Sequence, residues 1–241
     1  YMKTPEQLLL NKIRKKFNKG TTEFGMFEDG DRILIGLSGG KDSLCLLQFL
    51  AERSRIFKPN ISIEALHVRM ENIQYESDAS YLEEFARSYG VPLHIITTSF
   101  DEEGLRDKPA CFLCSWYRRK ALFRFAQDNG FNKIALGHHM DDILHTTLLN
   151  LFYEGTFSTM PAVMRMEKMP LTIIRPLCLV HEADIAQLAQ LLDYHKQNKT
   201  CPYEKASKRE DMRQTYELME KANPEMRYSI WRALQKEGKL T

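Results

Sequence analysis

At 241 residues, with 43% hydrophobic and 27% charged side chains, the chain can bury a full core and has the make-up of a soluble globular protein. Its net charge is only +2, so any nucleic-acid surface must come from local clustering, and no stretch nears the roughly 18 apolar residues of a membrane span. No charged-then-apolar segment opens the chain and its five cysteines are an odd number, so a cytoplasmic protein with metal or redox chemistry is expected, without membrane or disulfide framework.

The first predicted element is a helix over residues 5–19. Thr4-Pro5 supplies a cap and first-turn pair, and Leu9, Leu10, Ile13 and Phe17 recur at helical spacing. Lys12, Arg14, Lys15, Lys16 and Lys19 occupy the other side, either as a solvated face or as a contact surface for RNA phosphates. The turn signal Glu28-Asp29-Gly30-Asp31 leads into the apolar run Ile33-Leu34-Ile35-Gly36-Leu37, a predicted strand. Directly after it stands Ser38-Gly39-Gly40-Lys41-Asp42-Ser43, followed by an apolar-periodic segment with Leu44, Leu46, Leu47, Phe49 and Leu50. Strand, tight turn and helix in that order make a phosphate cradle. The glycines let the backbone turn sharply and approach a ligand, the helix N-terminus attracts an anion, and Lys41 adds a point charge. The G-x-x-x-x-G-K-[ST] spacing of the Walker A loop is absent.

Further on, the pattern predicts strands at 61–67, 93–97, 133–136 and 171–174, alternating with helices at 80–89, 115–129, 141–153 and 182–192. Such alternation predicts an α/β fold, a parallel sheet with helices on both faces, whose ligands sit at the carboxyl ends of the strands. His67 closes the second strand near that edge. The run Gly137-His138-His139-Met140-Asp141-Asp142 follows the fourth strand. Asp141 reads as the cap of the next helix, and Asp141 with Asp142 as a pair able to hold Mg²⁺ together with substrate phosphates.

Cys111-Phe112-Leu113-Cys114 is a C-x-x-C placed immediately before a predicted helix, where the dipole lowers a thiol pKa. Cys201 is a third thiol, whereas Cys45 and Cys178 lie in apolar runs and read as packing residues. Three cysteines suit either zinc with a fourth ligand or an iron–sulfur cluster, in which one iron keeps an open position for a sulfide.

The Ser38–Ser43 run resembles the S-G-G-x-D-S pyrophosphate loop of the N-type ATP pyrophosphatases, which cleave ATP between the α- and β-phosphates and adenylate a substrate oxygen. Gly137–Asp142 is similar to their second nucleotide motif. The C-x-x-C before Ser115-Trp116-Tyr117-Arg118-Arg119, the stretches 134–144 and 150–153, and Ile174-Arg175-Pro176-Leu177 extend the resemblance to the tRNA 2-thiocytidine synthetase family. That resemblance covers roughly residues 10 to 215. It implies a PP-loop domain, ATP bound by Ser38, Gly39, Gly40, Lys41, Asp42 and Ser43, an adenosine contact at His67, and close nucleotide approach at Gly137. It further implies Mg²⁺ at Asp141 and Asp142 and a [4Fe-4S] cluster on Cys111, Cys114 and Cys201. Asp42 and the three cysteines would carry catalysis. The reaction it implies is ATP-dependent thiolation of a tRNA cytidine, with a sulfur donor such as a cysteine desulfurase or free sulfide, and a homodimer is what the family suggests.

Where many family members carry a second C-x-x-C-G, this chain has Cys201-Pro202-Tyr203-Glu204-Lys205, which still offers the third ligand. Arg14, Lys15 and Lys16, with Arg118 and Arg119 after the C-x-x-C, are candidate RNA contacts. A tail over 205–239, broken at Asn223-Pro224, reads as helical, with Tyr228 and Trp231 packing rather than stacking on bases. The expected organisation is a helical arm (1–29), a PP-loop domain (30–195) and a helical tail with the third cysteine (196–241). Two rivals are kept: the same chemistry on tRNA uridine or a small metabolite, and a non-catalytic nucleotide- and zinc-binding module.

Overall fold

A computed structural model describes residues 4–71, 74–75, 79–99, 110–195, 199–200 and 208–241. The described chain runs α1 (Pro5–Glu23), β1 (Asp31–Gly36), α2 (Lys41–Ser54), β2 (Ile61–Met70), β3 (Gln74–Tyr75), α3 (Ser80–Ser88), β4 (Leu93–Thr98) and α4 (Ala110–Asp128). It continues through β5 (Lys133–Ala135), α5 (Met140–Glu154), β6 (Val163–Arg165), β7 (Thr172–Ile174), α6 (Glu182–Leu191), β8 (Lys199–Thr200), α7 (Lys208–Ala222) and α8 (Met226–Lys236).

Six strands form one sheet in the order β4-β2-β1-β5-β7-β6, parallel except for the β6–β7 edge pair, while β3 and β8 make a separate antiparallel pair. β1 is central, with Gly36 beside Leu66 of β2 and Ile35 beside Ala135 of β5. Successive connections leave it in opposite directions, so the crevice beyond its carboxyl end is the switch point where such sheets bind ligands. Side-chain alternation on β1 divides the core. Ile33 and Ile35 join a large cluster on one face, and Leu34 joins a smaller one on the other. The large cluster takes residues from α1, α2, α3, α5 and α6 and from the tail helices α7 and α8, so arm and tail share the sheet's main core. The smaller cluster lies under α4 through Leu122 and Ala126.

Several expectations need correction. β2 runs on to Met70, so His67 stands inside the strand instead of closing it. α4 begins at Ala110, which puts Cys111 and Cys114 inside the helix rather than ahead of it. Asp107 and Pro109 are start signals in the sequence lying before Ser115, the residue at which the expected helix began. The cap of α5 is His139, not Asp141. Its Nδ1 accepts from the Asp142 N–H at 3.3 Å while Asp142 Oδ2 accepts from the His139 N–H at 3.1 Å, a capping box built on an unusual residue. Trp231 is buried and meets Phe24 edge on, as expected of a packing residue, whereas Tyr228 is exposed.

Candidate active site

β1 hands directly into the phosphate loop, where Leu37 still donates to the Leu66 carbonyl at 2.9 Å. The chain reverses through Gly39, whose φ of +85° is a left-handed conformation that other side chains resist. Gly40 is different: its φ is −85°, and an added Cβ would meet nothing nearer than Ser38 Oγ at 3.6 Å. Protein packing therefore tolerates a side chain there, and the bare position leaves room over the start of α2. The two serines clasp the loop. Ser38 Oγ lies 3.1 Å from Ser43 Oγ and accepts from the Gly40 N–H at 3.3 Å, while Ser43 Oγ donates to the Gly40 carbonyl at 2.9 Å. No side chain caps α2, so its leading amides and dipole are left for an anion. Lys41 Nζ stands 3.1 Å from Asp42 Oδ1 and 3.1 Å from Glu182 Oε1. Burial opposes its charge, but the two carboxylates outweigh burial and raise its pKa.

The Gly137–Asp142 turn packs against this loop. A Cβ on Gly137 would come within 3.1 Å of Asp42 C, Asp42 O and Ser43 N, all backbone atoms. Glycine is thus demanded here by the approach of two protein segments. Arg175, buried on the neighbouring strand end, donates from Nε to His138 Nδ1 at 3.2 Å and from its terminal nitrogen to the Pro161 carbonyl. Burial lowers its pKa to about 10, which leaves it cationic at neutral pH. A cation donating to Nδ1 fixes His138 as the tautomer with its proton on Nε2. The cap bond does the same for His139, whose Nε2 faces Asp142 Oδ2 at 3.4 Å and Asp42 Oδ1 at 3.8 Å.

Adjacent carboxylates here have opposite fates. Asp141 Oδ2 accepts from the Glu182 N–H at 2.7 Å, and its Oδ1 lies 2.9 Å from Arg227 of α8. Burial pushes Asp141 upward, yet that hydrogen bond, Arg227 and the nearby histidines prevail and hold it below the usual carboxylate range. Asp142 goes the other way, raised by burial and by the charges of Asp42 and Glu182 against the pull of His139.

Two cavities flank the loop. One of about 350 Å³ is largely apolar and opens over Gly36, Ser38 and Gly40, walled by His67, Arg118 and Phe123. His67 is buried and donates from Nδ1 to the Leu37 carbonyl at 2.7 Å. The second, of about 260 Å³, is lined by Asp42, Asp142, Glu182, His145 and Arg213. His138 borders both. Among the described residues no three His, Cys, Asp or Glu side chains converge tightly enough to hold a metal ion alone. Cys111 is exposed and Cys114 half-buried, one helical turn apart; Cys201 lies outside the described residues. Cys45 and Cys178 are buried packing residues, and burial pushes the Cys178 thiol up to about 12.

Residues 9–214 match the family model of the PP-loop domain. The tRNA-cytidine(32) 2-sulfurtransferase of Methylococcus capsulatus is 36% identical over 242 residues, spanning 95% of this chain and 82% of that protein. The chain belongs to the tRNA-cytidine(32) 2-sulfurtransferase family of PP-loop proteins. Its similarity to the same-named protein of Bdellovibrio bacteriovorus reaches 42% over 181 residues, 74% of this chain and 69% of the relative. The fold also matches a U34-tRNA thiolase, NcsA from Methanococcus maripaludis, a structure solved with its [4Fe-4S] cluster, at a TM-score of 0.76. That match covers 96% of this chain and 79% of the thiolase at 23% identity.

In this PP-loop protein the switch point brings together Ser38 through Ser43, His67, Gly137, Asp142, Arg118 and Arg119. Asp141 stands beside them but spends its oxygens on Glu182 and Arg227. The other basic candidates lie elsewhere. Arg14 pairs with Glu52 at 2.9 Å, Lys16 with Asp184 at 3.7 Å, and Lys15 is exposed, all on α1 across the sheet from α4. Sequence reasoning missed Arg175, Glu182 and Arg227, while Arg213 ends the basic stretch 205–213 that the family resemblance makes a candidate RNA surface. Of the three missed, Arg175 alone had a signal, inside the Ile174–Leu177 stretch that carries the family likeness.

Proposed function

We propose that this chain is an ATP-dependent tRNA thiolase that adenylates the C2 oxygen of a cytidine and replaces it with sulfur. The observation that carries this reading is the uncapped start of α2 beneath the open Gly40, set between a mainly apolar cavity and an acidic one. ATP fits that arrangement. The apolar cavity suits adenosine, and the leading amides of α2 with Lys41 suit its phosphates. Lys41 would exchange part of its pairing with Glu182 for phosphate oxygen.

Asp42 and Asp142 would hold Mg²⁺. Magnesium takes one or two carboxylates and completes its shell with phosphate oxygens and water, consistent with the sparse donor set here. Asp42 Oδ1 is paired with Lys41 at 3.1 Å and would be released to such an ion as Lys41 turns toward phosphate. Asp141, by contrast, would keep the turn in place. The Nε2–H of His138, fixed by its Nδ1 partner, would donate into the cavities where charge develops on the α-phosphate, while that of His139 would orient the Asp142 and Asp42 carboxylates.

The thiols of Cys111 and Cys114 are soft donors one turn apart on the helix whose Arg118 and Arg119 wall the apolar cavity, a donor pair that suits an iron–sulfur cluster with Cys201 as third ligand. Held by those thiols, such a cluster would supply a binding place for sulfide from the sulfur donor, and AMP would leave as that sulfur bonds to C2. Arg118 and Arg119 would steer the substrate phosphodiester toward it.

The test is mass spectrometry of tRNA nucleosides from cells whose own 2-thiocytidine synthesis has been deleted and which express this protein. The wild-type chain should restore 2-thiocytidine, and Lys41→Ala or Cys201→Ser should not. A thiouridine appearing instead would keep the chemistry and move the base assignment. No thionucleoside at all would sink the reading.

A further inference from the structure

We propose that Trp116, backed by Lys120 and flanked by Phe112, is a stacking site for an unpaired base of the RNA substrate. The proposal rests on the tRNA reading above and adds to it a specific contact on α4. Phe112, Trp116 and Lys120 succeed one another at four-residue intervals and so share one side of the helix. Trp116 is 42% exposed and Phe112 51% exposed, while the residues that seat α4, Leu113, Leu122 and Ala126, are buried. The indole is therefore not there to fill the core.

It is nevertheless held. Lys120 Nζ lies 5.0 Å from the ring centroid, and the Tyr117 ring meets it edge on at 4.9 Å and 78°. A fixed, half-exposed indole costs little entropy to stack upon, and every base has a π-face to offer it. Charge points to the same occupant. α4 carries Arg118, Arg119, Lys120 and Arg124 against the single acid Asp128, in a chain whose net charge is only +2. Arg118 and Arg119 also wall the cavity beside the phosphate loop, so the aromatic stripe continues that site along the helix. Aromatic rings interleaved with cations suit single-stranded RNA, whose splayed bases stack while its phosphates pair. A tRNA loop entering toward the Cys111–Cys114 pair would lay a base next to its target on Trp116.

The test is anisotropy of an end-labelled, unmodified tRNA transcript titrated with the holoprotein across a salt series. Trp116→Ala should weaken binding about 10- to 100-fold with the salt slope unchanged, because stacking releases no counterions. Trp116→Phe should retain most of the affinity, and Lys120→Ala should flatten the slope by about one phosphate contact. ATP affinity should be unaltered in all three. Of the two tryptophans Trp231 is buried, so tRNA should quench the emission of the wild type and leave that of Trp116→Phe unquenched. Wild-type affinity in Trp116→Ala overturns this proposal and leaves the tRNA reading standing. So does a Trp116→Ala variant that loses a wild-type self-association while binding RNA normally, since the face would then belong to a second copy. A wild-type protein that binds no tRNA overturns both.

Discussion

Asp141 and Asp142 are chemically identical neighbours that the fold separates by function. Asp141 is locked ionised by the Glu182 N–H and Arg227. Asp142 lines the acidic cavity with its carboxyl raised. The two titrations have opposite signs. Asp141 is held below its unfolded value, so the unfolded chain takes up a proton first as pH falls. Its contribution is complete above the unfolded pKa and is lost as pH falls through the native one. Asp142 is held above its unfolded value, so the ionised group costs stability at neutral pH, and that cost is relieved on acidification through the native pKa. Asp141→Asn should therefore destabilise the protein by about 2 kcal/mol at neutral pH, since it removes one of the two carboxylates, Asp141 and Glu220, that hold Arg227. Asp142→Asn should leave the midpoint unchanged or raised while abolishing Mg²⁺-dependent ATP cleavage, the usual conflict between a functional carboxylate and stability. Urea unfolding of both variants at neutral and at acid pH checks this. Equal destabilisation by the two changes would mean that the pair is structural throughout.

At the scale of elements, the start of α2 meets the start of α6 through Lys41 and Glu182. Both side chains are about a third exposed, at 31% and 40%, so the pair is worth little to folding, on the order of 0.5 kcal/mol. Its consequence is for ligand binding: the phosphate loop's lysine is already occupied when nucleotide arrives. If Glu182 merely holds Lys41 in place, Glu182→Gln should tighten ATP binding about twofold to fivefold by freeing the ammonium. If Glu182 instead helps to place the magnesium ion, the same change should weaken Mg-ATP binding and leave metal-free nucleotide binding untouched. Calorimetry with and without magnesium separates these outcomes; unchanged affinity in both would deny the pair any part in the site. This coupling could not be read from the chain, because the partners are 141 residues apart and nothing local marks either end. The loop itself was legible, since glycine, serine and lysine between an apolar strand and a periodic helix is a local signal. The His139 cap was not, because histidine is rarely found in that role. Nor was β6, a three-residue edge strand too short to show alternation.

Across the whole molecule, the tail completes both the core and the site. Met212 and Tyr216 of α7 and Trp231 and Leu234 of α8 are buried in the same cluster as Ile33 and Ile35 of the central strand. The Leu240 carbonyl accepts from the Ala162 N–H at 2.8 Å, tying the end of the chain to the strand edge. Arg227 of α8 then reaches Asp141 at the turn that packs against the phosphate loop, and Arg213 of α7 lines the acidic cavity. The alternation of strands and helices foretold the parallel sheet. It did not foretell this closure, because amphipathic tail helices show an apolar face without saying what it covers. Since the tail supplies core residues and a buried counter-charge, arm, sheet and tail should unfold together. Urea unfolding followed by far-UV circular dichroism and by the emission of Trp231, in a Trp116→Phe background, should give coincident single transitions. Trp231→Ala should cost about 3–5 kcal/mol and shift the whole transition. If the Trp231 signal melted first while most of the helical signal persisted, the tail would be a separate unit docked on an independent PP-loop domain. The Asp141–Arg227 pair would then be a contact between domains that can open, and nucleotide should raise the stability of the tail alone.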